Sequence, residues 1–185
     1  MRIKPIRIKD KTDRNIEIRS AELSDASQLL ELLRTTAQET PFLVREPNEI
    51  SFSIEEEEKF IRKRIDAKNE VMLVAVAGER VIALGSLHAV LPYRRYAHRC
   101  SVSVAVCSDF WNIGIGHAMM EVLLDTASEL GYEQAELEVI EENAAAIILY
   151  EKLGFEKKGS FPNSVKYKDG EYADSYFMVK LLNQN

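Results

Sequence analysis

The chain has 185 residues, with 24 Lys and Arg against 30 Asp and Glu, a net charge of −6 at neutral pH; this balance argues against the basic surface that holds nucleic acid non-specifically. A hydrophobic share of 46 % beside 29 % charged residues suits one soluble domain that buries a core without disulfide or metal staples. No stretch is apolar for long enough to span a bilayer, and Met1 to Asp10 lacks the apolar segment of a secretory signal, so a cytoplasmic protein without a membrane partner is expected.

Residues 1–15 are basic and polar and read as an N-terminal arm or a short extra strand ahead of a single domain over residues 16–183. Ile16-Glu17-Ile18-Arg19 alternates apolar and polar, the pattern of a first strand. Ser24 is a candidate N-cap for a helix carrying Leu29, Leu30, Leu32 and Leu33 and ending before Pro41. Thr40 to Ser51 reads as a loop broken by Pro41 and Pro47. Ser53, with Glu56 three residues on, forms a capping box for a second helix. Its acidic run Glu55 to Glu58 sits where the helix dipole favours negative charge. Val71 to Ala77 and Val81 to Leu87 form an antiparallel hairpin around Gly78-Glu79-Arg80. Leu91 to Arg95 is a basic loop; Arg94, Arg95 and Arg99 are candidates to hold a substrate carboxylate or phosphate, but read best as ordinary charged surface.

Cys100 to Val106 is a Val-rich strand. It runs into Cys107-Ser108-Asp109-Phe110-Trp111-Asn112-Ile113-Gly114-Ile115-Gly116 and a long helix that stops at Gly131, a natural residue for a helix end. Cys100 and Cys107, the only cysteines, lie too close along one strand and its exit loop to bridge readily and are expected as free thiols. Gln134 to Ile140 is a strand parallel to the one before the glycine loop, because a helix intervenes. A helix from about Asn143 to Leu153 ends at Gly154. A short strand over Phe155 to Ser160, a turn-rich connection over Phe161 to Gly170, and a last strand over Ala173 to Leu182 complete the chain. The order of elements predicts a mixed α/β (α+β) domain: one mostly antiparallel central sheet, one parallel pair, and helices on both faces.

Two segments carry chemistry. In the first, Gly114 and Gly116 open the backbone at a strand-to-helix turn, where the unpaired amides of the first helical turn and the dipole favour an anion such as a diphosphate. The segment is neither a Walker A loop, since no Gly-Lys-Ser/Thr follows, nor a dinucleotide fingerprint, since the third glycine would fall at Met119. Alone it suits an anion site or a plain turn equally. In the second, Asn143-Ala144-Ala145-Ala146-Ile147-Ile148-Leu149-Tyr150-Glu151-Lys152-Leu153-Gly154-Phe155, Asn143 and Tyr150 stand two helical turns apart on one face, with small residues between them.

Together these segments resemble the GNAT (Gcn5-related N-acetyltransferase) superfamily. Its glycine loop has the form Arg/Gln-x-x-Gly-x-Gly/Ala, here Trp111-x-x-Gly114-x-Gly116, and its later motif Asn-x-x-Ala-x-x-Leu-Tyr-x-x-x-Gly-Phe matches Asn143, Ala146, Leu149, Tyr150, Gly154 and Phe155. Trp111 departs from the pattern, where Arg or Gln is usual. The resemblance implies a GNAT-like domain whose strand carrying Val104, Ala105 and Val106 splays from the strand carrying Leu137 and Val139.

It also implies acetyl-CoA as co-substrate, with no metal. Pantetheine would pair with the backbone around Val104, Ala105 and Val106, and the amides of Trp111, Asn112, Ile113, Gly114, Ile115 and Gly116 would cradle the diphosphate. Asn143 would hydrogen-bond the pantetheine. A backbone amide near Val104 would stabilise the oxyanion, and Tyr150 would protonate the departing thiolate. The acceptor would be a primary amine of a small molecule, amino acid or protein N-terminus. The general base is open between His98, His88, Glu138 and water. A non-catalytic acyl-CoA sensor on the same fold is the alternative, and a homodimer is compatible with the strands on offer.

Overall fold

A computed structural model describes residues 1–182; residue 183, the expected end of the domain, lies outside them. Eight strands form one sheet: β1 (Ile6–Lys9), β2 (Asn15–Ser20), β3 (Val71–Ala77), β4 (Arg80–Ala89), β5 (Arg99–Val106), β6 (Gln134–Ile140), β7 (Glu156–Lys166) and β8 (Tyr172–Leu181). Their order across the sheet is β1-β2-β3-β4-β5-β6-β8-β7. Every neighbouring pair is antiparallel except β5 with β6. This is the mixed sheet with one parallel pair that the order of elements predicts, and the long helix between β5 and β6 is the crossover that a parallel pair requires.

The helices are α1 (Ala26–Glu39), α2 (Ile54–Asp66), α3 (Ile115–Glu129) and α4 (Ala144–Lys152). α3 is almost wholly apolar toward the sheet, burying Met119, Met120, Leu123, Leu124 and Ala127. It lies close against β4 because Gly85 is there: a Cβ at that position would come within 3.0 Å of Met119 Cε and 3.2 Å of Leu123 Cδ1. α1 and α2 pack on each other and on β4 and β3 from the opposite face. The central strands are therefore covered on both sides and read as continuous apolar runs, as Val71 to Ala75 does, all five being buried. No helix among the described residues is long and apolar enough to cross a membrane.

Local signals fixed most boundaries. Ser53 Oγ accepts from Glu56 N–H at 3.2 Å and the Glu56 carboxylate accepts from Ser53 N–H at 2.8 Å, completing the expected capping box. Ser24 does not cap α1. It is exposed within a 3-10 turn, Leu23–Asp25, that leads into the helix. Asp25 takes the cap position, with its buried carboxylate accepting from Glu22 N–H at 2.8 Å and from both ends of the Arg19 guanidinium at 2.7 and 2.8 Å. The bond to Glu22 N–H closes the capping box of the 3-10 turn, and the carboxylate makes no cap bond to α1 itself. The stretch read as a turn after Ser160 is also corrected: β7 continues to Lys166, with its register shifting between Phe161 and Val165. Pro162 and Asn163, at φ 52°, sit inside that irregularity. Such residues are tolerated there because β7 is the edge strand.

Candidate functional site

β5 and β6 are bridged only at Arg99–Gln134, Cys100–Ala135 and Ser101–Glu136. Beyond them β5 keeps β4 as its neighbour and β6 keeps β8, so a wedge opens between the parallel strands. Its lining follows from register. Cys107 N–H donates to the Ile82 carbonyl at 3.0 Å and the Arg99 carbonyl accepts from Val90 N–H at 3.3 Å. The odd residues of β5 thus turn their backbone groups to β4, Ala105 included, and those of Val102, Val104 and Val106 turn to the wedge. On the other rim Glu141 N–H donates to Asp174 and Gln134 N–H to the His98 carbonyl, so the backbone groups of Glu138 and Ile140 turn to the wedge. One of these groups is engaged: Trp111 Nε1 donates to the Val106 carbonyl at 2.6 Å. The closed end is held by Arg99, which donates to both oxygens of buried Glu136 at 2.5 and 2.7 Å; its guanidinium is engaged in the fold and is not the ordinary charged surface expected of it.

The glycine loop leaves the open end of β5. A 3-10 turn, Ser108–Phe110, is pinned to the end of α1, where Glu39 accepts from Ser108 N–H at 2.9 Å and from its hydroxyl at 2.6 Å. Asn112 at φ 62° and Gly114 at φ 98° are both left-handed, and Gly114 is the N-cap of α3 with no side chain to cap it. The first internal bond of α3 runs from Ala118 N–H to the Gly114 carbonyl at 3.0 Å, so the amides of Ile115, Gly116 and His117 precede the ladder. Open space lies where a Cβ on Gly114 would point. Ile113 and Asn112 turn their carbonyls to the β1–β2 turn, the first accepting from Lys11 N–H at 3.1 Å and the second from Lys11 Nζ at 3.4 Å.

α4 meets this loop. A Cβ on Gly116 would lie 3.4 Å from Leu149 Cδ2 and 3.8 Å from Val106 Cγ2, so the two predicted segments are neighbours on the face of the sheet that carries α3. Asn143 is the N-cap of α4, and its Oδ1 accepts from Ala146 N–H at 3.2 Å. Ala144 and Ala145 are exposed beside it. Tyr150 is 8 % exposed and its ring stands 5.8 Å from that of Phe155. Burial pushes its phenol up to about 12, so it stays protonated at every physiological pH, and no described residue bonds its hydroxyl.

The candidate bases separate by position. His98 precedes β5 at the closed end, its carbonyl accepting from Glu133 and Gln134. His88 stands opposite Ser101, also at the closed end; its Nδ1 is buried without a partner among the described residues, and burial, then the nearby Arg64, lower its pKa. Glu138 is exposed, two residues past the last bridge, on the face opposite α3, and accepts from the Ser175 hydroxyl. Lys11 and Ser175 had no signature in the sequence: Lys11 lies on the short turn between β1 and β2 and Ser175 within β8, both far along the chain from the residues they meet, and only the Asp10–Asp13 turn chemistry hints that something is built at Lys11.

The model of the acetyltransferase (GNAT) family matches residues 28–155, more than half of the chain. The chain belongs to the GNAT family. Among curated GNAT relatives, the L-amino acid N-acetyltransferase AaaT of Escherichia coli is 33 % identical over 90 residues, 47 % of this chain and 54 % of that protein. The [ribosomal protein bS18]-alanine N-acetyltransferase of the same species is 40 % identical over 68 residues, 37 % and 46 % respectively. The chain thus spans about half the length of the curated relatives it matches. Solved structures agree over far more of it. The GNAT-family acetyltransferase of Streptococcus pneumoniae superposes with a TM-score of 0.85 at 29 % identity, covering 90 % of this chain and 99 % of that one. The yncA protein of Salmonella typhimurium, solved with its cofactor acetyl-CoA, gives 0.81 at 21 % identity, covering 92 % and 96 %, and speaks for the fold.

Proposed function

We propose that this chain is an acetyl-CoA-dependent N-acetyltransferase acting on a primary amine of a small molecule, amino acid or protein N-terminus by direct attack in a ternary complex. One observation supports the reading: β5 and β6 part after three bridged pairs, the unpaired amides that start α3 follow the open end of β5, and α4, which carries the protonated phenol of Tyr150, meets that loop where Leu149 packs on Gly116, with an exposed carboxylate, Glu138, on the opposite face of the sheet. The relatives named for an L-amino acid and for a ribosomal-protein alanine support an amine acceptor.

Acetyl-CoA supplies the activated acetyl group. The amides of Ile115, Gly116 and His117, aided by the α3 dipole, hold its diphosphate. Asn143, whose Oδ1 is spent on the helix cap, has its NH₂ group to offer the pantetheine arm. Val104 N–H, aimed into the wedge, donates to the negative charge that develops on the carbonyl oxygen. Glu138, directly or through a water, takes the proton that the amine must lose, and Tyr150 donates a proton to the sulfur as the C–S bond breaks. The C–N bond forms from the face of Glu138 and the thiol leaves on the face of Tyr150, so acid and base never compete for one site. A non-catalytic sensor would have no use for a buried phenol with its hydroxyl unengaged.

Thiol release measured with DTNB across a panel of primary amines tests the reading. Turnover is expected with at least one amine class, and Tyr150→Phe should lower kcat by ~10²–10⁴-fold while CoA affinity stays unchanged. A Tyr150→Phe variant as fast as wild type would remove the acid; affinity for CoA with no turnover on any amine would favour the sensor.

A further inference from the structure

The glycine loop has no cation of its own. From Cys107 to Gly116 there is neither Lys nor Arg, and Trp111, which stands where the family pattern has Arg or Gln, turns its indole back onto the Val106 carbonyl at 2.6 Å. A loop that holds two or more phosphate charges on backbone amides alone, in a chain of net charge −6, lacks the point charge that usually offsets them.

The β1–β2 hairpin supplies one. Its turn is rigid: the Asp10 carboxylate accepts from Thr12 N–H and Thr12 Oγ1 at 2.7 Å each, from Arg14 N–H at 3.1 Å and from Arg14 Nε at 2.8 Å. Arg14 then stacks over Phe110 at 4.7 Å, fixing the turn to the 3-10 segment that begins the glycine loop. Lys11 stands at the tip, with its N–H on the Ile113 carbonyl and its Nζ 3.4 Å from the Asn112 carbonyl. Its neighbours' charges are spent, Lys9 on Asp13 at 2.7 Å and Arg14 on Asp10. Among the described residues no carboxylate pairs with Lys11. An ammonium that is tethered by its own backbone to the loop, and paired with no carboxylate among the described residues, stands beside the segment proposed to take the anion.

We infer that the N-terminal hairpin is part of the cofactor site and that Lys11 is a phosphate-binding residue for CoA, replacing the cation that Trp111 removes from the loop. This rests on the reading of the loop as the diphosphate site. The hairpin lies outside residues 28–155 matched by the family model.

Titration calorimetry of the intact wild type, Lys11→Ala and Lys11→Arg with CoA and with 3′-dephospho-CoA tests the inference, alongside turnover of acetyl-pantetheine, which carries no phosphate. Lys11→Ala should bind CoA roughly five- to tenfold more weakly, Lys11→Arg about as well as wild type, and both should turn over acetyl-pantetheine unchanged. A penalty that persists with 3′-dephospho-CoA assigns Lys11 to the diphosphate; one that vanishes assigns it to the 3′-phosphate. An unchanged Kd for Lys11→Ala overturns the inference, as does an equal loss on acetyl-pantetheine, which would make the hairpin a packing element only. A wild type that binds no CoA overturns the diphosphate reading together with it, whereas wild-type binding with an indifferent Lys11→Ala sinks this inference alone.

Discussion

Glu57, in the first turn of α2, is 6 % exposed, and its Oε1 has no hydrogen-bond partner among the described residues. Burial raises its pKa and Arg45 draws it only partly back. The folded state therefore holds the proton more tightly than the unfolded chain does. That contribution is fully present below the ordinary glutamate range and is lost as pH rises through the raised folded value. Glu57→Gln keeps the shape and removes the charge. Its melting temperature should exceed that of wild type by about 2–4 °C at pH 7–8, the equivalent of about 1 kcal/mol in a chain of this size, with the gap closing toward pH 4. Melting curves across that range check it; a variant less stable than wild type at pH 8 would mean the carboxylate has a partner that matters. Ser24 and Asp25 teach a related lesson about single residues. Ser24 reads as the cap from its residue type alone, yet the chain turns into α1 at Asp25, whose carboxylate is held by Arg19.

At the scale of elements, the glycine loop was legible because its determinants are local. Gly114 must adopt φ 98° for the chain to turn from the loop into α3, and that need is visible as a glycine. Gly114→Ala should destabilise the fold by roughly 1–2 kcal/mol from left-handed strain, seen as a lowered melting temperature by calorimetry. It should also weaken CoA binding, because the amides it orients are those of Ile115 and Gly116. Unchanged stability would mean that the loop relaxes without cost and does not preorganise the site. β7 was not legible in the same way. As an edge strand it is exposed at all but two of its residues, Ser164 and Val165, so it carries no alternation. Pro162 and Asn163 imitate a turn because only pairing with β8, a non-local fact, keeps the segment extended. The long apolar strands β3 and β5, and the capped helix α2, have no such ambiguity.

At the scale of the whole molecule, the sequence named the pieces of the site without being able to assemble them. Asn143 and Tyr150 announce themselves by helical spacing and the glycines by their turn, but the wedge exists because β5 and β6 share only three bridged pairs. That register is set by β4 on one side and β8 on the other. The same holds for Glu138, which the sequence offers only as one candidate base and which the sheet sets past the last bridge, and for Lys11, which reaches the loop from about a hundred residues away in sequence. Sheet, crossover and caps converge on one structure: the closed end is locked by Arg99 and Glu136, and the open end is where the proposed cofactor would enter. The most direct test is a ¹H–¹⁵N correlation spectrum recorded with and without CoA. The largest amide shifts should fall on Ile115, Gly116, His117 and Val104, with smaller ones around Asn143. Shifts clustered elsewhere, or none at saturating CoA, would contradict the site described for this chain.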